Sequence, residues 1–269
     1  MSISRTAVLA AAVMLAAAAG PSRAQGTPPI EVTGATHVEI DERTGIWHLT
    51  GTPVTIRRGT VLVRAPAIVY DTKQKIVEAS GGVTYADPDA QLTSAAATVW
   101  LAEARLTATG AVNGTLKGQE QETTLRADRV DAWRAQRRMV ATGSVVLTRA
   151  GMTLTGERVE YDDASQHAVA TGRPGIAAEE GTLTADRIDA ALQTEEATAE
   201  GNVHLVKGDI DATAPRAVLR HRDGVATLTG GVTVRRGRLQ VTAPTMVVDL
   251  KKNTITATGG ATIIAPPAP

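Results

Sequence analysis

The sequence predicts an all-β protein, an elongated stack of seven repeats of about 29 residues, each contributing antiparallel strands. Glycines recur at Gly51, Gly81, Gly110, Gly143, Gly172, Gly201, Gly230 and Gly259, at intervals of 30, 29, 33, 29, 29, 29 and 29 residues. Around them apolar and polar residues alternate with a period of two, the pattern of a strand with one buried and one wet face. The apolar residues are slim: 43 % of the chain is hydrophobic, yet aromatics make up 2 % and Phe is absent. Such repeats stack quasi-one-dimensionally, each burying its apolar face against its neighbours.

At the N-terminus Arg5 precedes the unbroken apolar run Ala7–Ala19, and Ser22-Arg23-Ala24 stands before Gln25. Thirteen apolar residues fall short of the roughly 20 that a spanning helix needs. Residues 1–24 are therefore predicted to be a cleaved signal peptide; left uncleaved, the same segment is an anchor. Losing Arg5 and Arg23 leaves 26 basic against 28 acidic residues, a nearly neutral chain. Residues 25–33, with Pro28-Pro29, read as a flexible lead-in, 34–264 as the repeat body and 265–269 as a Pro-rich tail.

Each repeat holds two strands. In the one around the glycine, Val77, Leu106, Met139, Ala168, Ala197, Ala226 and Ile255 stand four residues upstream. Ala79, Ala108, Ala141, Ala170, Ala199, Leu228 and Ala257 stand two upstream, and Val83, Val112, Val145, Val203 and Val232 two downstream, with Pro53, Pro174 and Ala261 as departures. The other strand carries Val63, Leu92, Leu125, Leu154, Leu183, Ala212 and Val241, then a column of small residues from Ala65 to Ala243. Its inward parity then shifts, and Ile68, Ala97, Val130, Val159, Ile188, Ala217 and Met246 follow. A one-residue slip would turn every later side chain outward. An extra residue at the shift, Pro66, Pro215 or Pro244 in three repeats, restores the register as a bulge or corner does. The four-residue excess in one interval predicts an inserted loop at 113–124. Ala favours helix, but the Thr and Val density and the period of two oppose it.

The sequence offers no catalytic site, cofactor motif or metal centre. With no Cys, disulfides and thiol chemistry are excluded. His37, His48, His167, His204 and His221 lack ligand spacing. Nucleophile elbow, phosphate loop, dinucleotide fingerprint and calcium-binding nonapeptide are missing. Basic and acidic residues balance at 28 each, leaving no surplus for nucleic acid, and Trp47, Trp100 and Trp133 are too dispersed for a base-stacking platform. What remains is the inward face. Two readings fit its small side chains: a solid core between tightly closed sheets, or a dry groove between splayed ones that accepts hydrocarbon chains. By column, Leu125, Val130, Leu154, Val159, Leu183, Ile188 and Leu205 would line that interior.

The segments Leu154-Thr155-Gly156-Glu157-Arg158-Val159-Glu160-Tyr161-Asp162 and Ala168-Val169-Ala170-Thr171-Gly172 resemble the OstA-like, or LptA, family of periplasmic lipopolysaccharide-transport proteins. The same cadence recurs from Leu183 to Gly201 and from Val63 to Gly81, so that the resemblance covers about residues 34 to 264. It implies a partly open β-jellyroll that shields the acyl chains of lipopolysaccharide or a related envelope lipid, without enzymatic activity. It also implies head-to-tail docking, to further copies, to an inner-membrane extraction complex and to an outer-membrane translocon. Terminal strands with unpaired backbone groups suit such docking, and the residues near Ile40 and Ile263 are the candidate edges. The chain departs from the family in its greater length and its lack of Phe. The rival readings are a structural or adhesive surface β-solenoid with a solid core, a membrane-anchored relative if the signal is not cleaved, and, last, a carbohydrate-active β-helix enzyme.

Overall fold

A computed structural model describes residues 28–117, 122–149, 151–162, 164–179, 181–191 and 193–265. The predicted signal peptide and most of the tail lie outside them. Every helical or extended element among the described residues is a β-strand, and the fold is an all-β antiparallel jellyroll. It divides into two compact units.

The first unit holds residues 28–145 with Tyr161–Ala164. Its strands are β1 (Ile30–Asp41), β2 (Ile46–Arg58), β3 (Val61–Asp71), β4 (Ile76–Ala86), β5 (Ala90–Trp100), β6 (Arg105–Lys117) and β7 (Glu122–Trp133), with the start of β8 (Arg138–Arg149). From β1 to β7 each strand pairs antiparallel with the next in sequence. β1 begins inside the stretch read as a flexible lead-in: Ile30 and Thr33 pair with Arg58 and Thr55. The predicted loop at 113–124 is also largely strand, since Asn113 to Lys117 pair with Arg126 to Glu122. The extra residues lengthen a hairpin instead of interrupting the sheet.

The second unit holds Val146–Glu160 and 165–265. It contains most of β9 (Met152–Asp162), then β10 (His167–Thr171), β11 (Gly175–Ala178), β12 (Gly181–Thr184), β13 (Arg187–Ala191), β14 (Glu196–Lys207), β15 (Ile210–Arg220), β16 (Val225–Arg236), β17 (Leu239–Asp249), β18 (Thr254–Thr258) and β19 (Thr262–Ile264). β10 with β11, and β12 with β13, are single repeat strands broken in the middle. Pro174, one of the departures in the glycine register, has no N–H to give the ladder; its carbonyl instead accepts from Ala185 N–H at 3.1 Å, at the neighbouring break. β14 to β17 return to regular neighbour pairing, and β17 pairs with both β18 and β19.

The parity shift read from the sequence is a physical corner. Pairing breaks register between Arg64 and Ala67, Ser80 and Val83, Thr93 and Ala96, and Thr109 and Val112 in the first unit, and between Glu200 and Val203, Thr213 and Arg216, and Thr229 and Val232 in the second. At each corner the glycine of one strand faces the extra residue of its neighbour: Gly81 faces Pro66, Gly230 faces Pro215 and Gly259 faces Pro244. Gly110 is required twice over. Its φ is +80°, and a Cβ there would stand 2.7 Å from that of Ala95.

The corners fold the strands over. Were a unit a flat sheet, one face would stay wet on both sides of the bend. Instead the inward columns of both arms are buried: Val63 and Ile68 flank the corner of β3 at 1 % exposure each. Each arm therefore covers the other, and the core of each unit is the layer between.

Candidate functional site

The interior is a ladder of aliphatic columns. Leu125 and Val130 lie in the first unit, and Val159, Leu183, Ile188 and Leu205 in the second, all at 5 % exposure or less. Leu154 is only half-buried, at the near end of β9, where it pairs with Ile176. The column between these residues is small: Ala65, Ala127, Ala185, Ala214 and Ala243 are all buried. Among the described residues, the polar ones buried as whole residues are Thr107 and Thr123. The interior thus offers dispersion contact and exclusion of water, at roughly 0.8 kcal/mol for each methylene buried, and almost no hydrogen bonding.

Both edge candidates lie exposed on terminal strands. Ile40 is 49 % exposed on β1, whose strand partner among the described residues is β2. Ile263 is 63 % exposed on β19, paired with β17. Val38 and Ile264 extend the two apolar patches.

Polar groups gather at the rims, where the hairpins ending one arm meet the turns ending the other. In the first unit Arg58 Nη1 donates to the Leu101 carbonyl at 3.1 Å. Arg134 pairs with Asp87 at 3.1 Å and Asp89 at 3.3 Å. In the second unit Lys207 Nζ donates to the Leu250 carbonyl at 2.5 Å. The Arg58 and Lys207 contacts each span 43 residues of sequence, so the repeat reproduces the same cross-rim tie.

Behind the rim of the first unit lies a cavity of about 220 Å³, with Arg58, Arg105 and Arg134 among its walls. Arg105 sits between Trp100, 4.3 Å from its guanidinium, and Trp133, at 5.5 Å. Strand register brings them together: Trp100 pairs with Arg105 across β5–β6, and Arg105 with Trp133 across β6–β7. Tyr85 also lines the cavity, and its hydroxyl donates to Asp87 at 2.7 Å. Burial, then the Asp87 carboxylate, raise the Tyr85 pKa far above the usual phenol range, so this hydroxyl stays protonated. Outside the cavity, burial of Asp131 opposes its ionisation. Hydrogen bonds from Arg129 and Thr107 outweigh this and hold its pKa below the usual carboxylate range.

The sequence reading missed this cluster, although the signal was present. Trp100 and Trp133 each stand ten residues before a repeat glycine, and Arg105 stands five before Gly110. Among the described residues no group of three or more His, Asp or Glu is placed to hold a metal.

No curated protein matches this chain. Among solved structures it is similar to the crystal structure of LptH, the LptA-homologous periplasmic component of the lipopolysaccharide transport device of Pseudomonas aeruginosa. The two share 17 % identity over 54 % of this chain and 83 % of that one, with a TM-score of 0.29. The family described as LptA/(LptD N-terminal domain) LPS transport protein matches residues 32–167, half of the chain. With strands repeated in the same glycine register beyond the C-terminal end of that match, the chain belongs to this lipopolysaccharide-transport family.

Proposed function

We propose that the chain is a non-enzymatic periplasmic carrier that holds the acyl chains of lipopolysaccharide, or a comparable envelope lipid, between the two arms of its jellyroll. It passes them from the inner-membrane side of the envelope toward the outer membrane. The observation that carries this reading is the aliphatic interior of each unit, built of columns that recur in repeat after repeat. Among the described residues its buried polar residues are Thr107 and Thr123, neither of them charged, so hydrocarbon is the chemistry it suits. Membership of a lipopolysaccharide-transport family supports the same class of cargo. The exposed apolar patches at Ile40 and Ile263 support docking by strand addition, to further copies or to membrane complexes at either end of the route.

Because Val159 and Ile188 are 1 % and 2 % exposed, a charged replacement at either would unfold the chain before it reported on lipid. Photo-crosslinking side chains are the better probe. Placed at Val159 and Ile188 in cells, they are expected to capture a lipid identifiable by mass spectrometry, while the same groups at Glu160 and Asp189 capture none. Capture only at the outward pair would reject the carrier reading.

A further inference from the structure

We propose that the cavity behind the first unit's rim binds the phosphate end of an acylated lipid, gripped by Arg58 and Arg105. The proposal rests on the carrier reading and adds the place where the charged end of the cargo lies. Three arginines line the cavity and no acid does. Arg134 is committed to Asp87 and Asp89. Arg58 and Arg105 have no ion-pair partner among the described residues; Arg58 reaches only the Leu101 carbonyl. Arg105 lies against its two tryptophans with Nε buried and facing no acceptor. Asp131 feels its charge, but the oxygens of that carboxylate are taken by Arg129 and Thr107.

A buried guanidinium donor without an acceptor costs stability until one arrives, and phosphate suits its planar fork. The other walls name the rest of the ligand. Val99, Leu106 and the ring of Tyr85, all at 5 % exposure or less, lead from the arginines toward the aliphatic interior. At about 220 Å³ the cavity is smaller than the roughly 300 Å³ at which ligand pockets begin. It fits a phosphate with its first carbons, and the hydrocarbon continues between the arms.

The test titrates the full chain, in a Trp47→Phe background, with dodecyl phosphate, dodecyl maltoside and inorganic phosphate, following the fluorescence of Trp100 and Trp133. Dodecyl phosphate is expected to bind about tenfold or more tightly than the maltoside, and inorganic phosphate alone to give no saturable change. Arg58→Gln and Arg105→Gln should each remove most of that preference and leave maltoside affinity unchanged. Arg105→Lys, which keeps the charge without the fork, should retain part of it. Arg58, at a strand end, is the variant least able to disturb folding. Equal affinity for the two amphiphiles in the parent, or an unchanged preference in both Gln variants, overturns the proposal. So does saturation by inorganic phosphate alone, which would mark a free-anion site. Lipid capture at Val159 and Ile188 without any phosphate preference defeats this inference alone; failure of both capture and amphiphile binding defeats the carrier reading with it.

Discussion

Ten described residues other than glycine hold a left-handed backbone, and the repeat explains nearly all of them. Lys75, Ala104, Arg137, Gln166, Glu195 and Asn253 end the four-residue turns, in register with Gly45 and Gly224. The left-handed twist aims a carbonyl at the next turn: Lys75 accepts from Leu101 N–H, Ala104 from Arg134 N–H and Glu195 from His221 N–H, at 2.9 to 3.1 Å. The stacking of turns thus offsets a backbone cost of roughly 1–2 kcal/mol per residue. Ala111, Ser144, Arg173 and Asn202 follow the corner glycines in the same conformation. The two corner residues differ in how much room they have. Gly110→Ala should cost about 2–3 kcal/mol in urea unfolding, since its Cβ would strike Ala95, whereas Gly231→Ala, which meets nothing, should cost about 1 kcal/mol. Equal losses would place the strain elsewhere. Asp131 supplies a pH prediction. Its folded pKa is depressed, so its contribution is present above the unfolded value near 4 and is lost as pH falls through the folded one. Asp131→Asn should lower the urea midpoint at pH 7 and make the acid-side loss of stability shallower; an unaltered acid limb would show that the Arg129 and Thr107 contacts contribute nothing.

At the scale of elements, the edges and the corners follow different rules. β1 and β19 carry exposed isoleucines near their ends and no lysine or proline within the strands, which invites a partner strand. On the proposed docking by strand addition, Ile40→Lys and Ile263→Lys should each weaken concentration-dependent self-association in light scattering by about tenfold; association that persists in both would remove these strands from the docking surface. The corners were legible beforehand, because a parity shift beside Pro66, Pro215 and Pro244 has only one economical geometry. The broken strands β10 to β13 were not foreseen, although Pro174 stood out as an exception. A missing N–H weakens a ladder, but whether the strand bends or breaks depends on what the neighbouring chain can offer, here Ala185. Similarly, four additional residues announce an insertion without saying whether it loops or pairs. Asn113–Lys117 pair because Glu122–Arg126 lie opposite as the facing strand.

For the molecule as a whole, periodicity made the repeat and the buried columns readable, since both obey spacing along the chain. The Trp100–Arg105–Trp133 cluster obeys spacing across the sheet, which appears only once strand partners are known. Whether the interior stands open was equally out of reach of the sequence, because small side chains fit a shut core and a splayed one alike. The neighbour-to-neighbour pairing of β1 to β7 has a further result. Every contact in that ladder joins segments close in sequence, so the topological barrier to folding is low for an all-β protein. A chain delivered end first can close each hairpin before the next strand arrives, and a sheet that grows in this order exposes one sticky edge at a time.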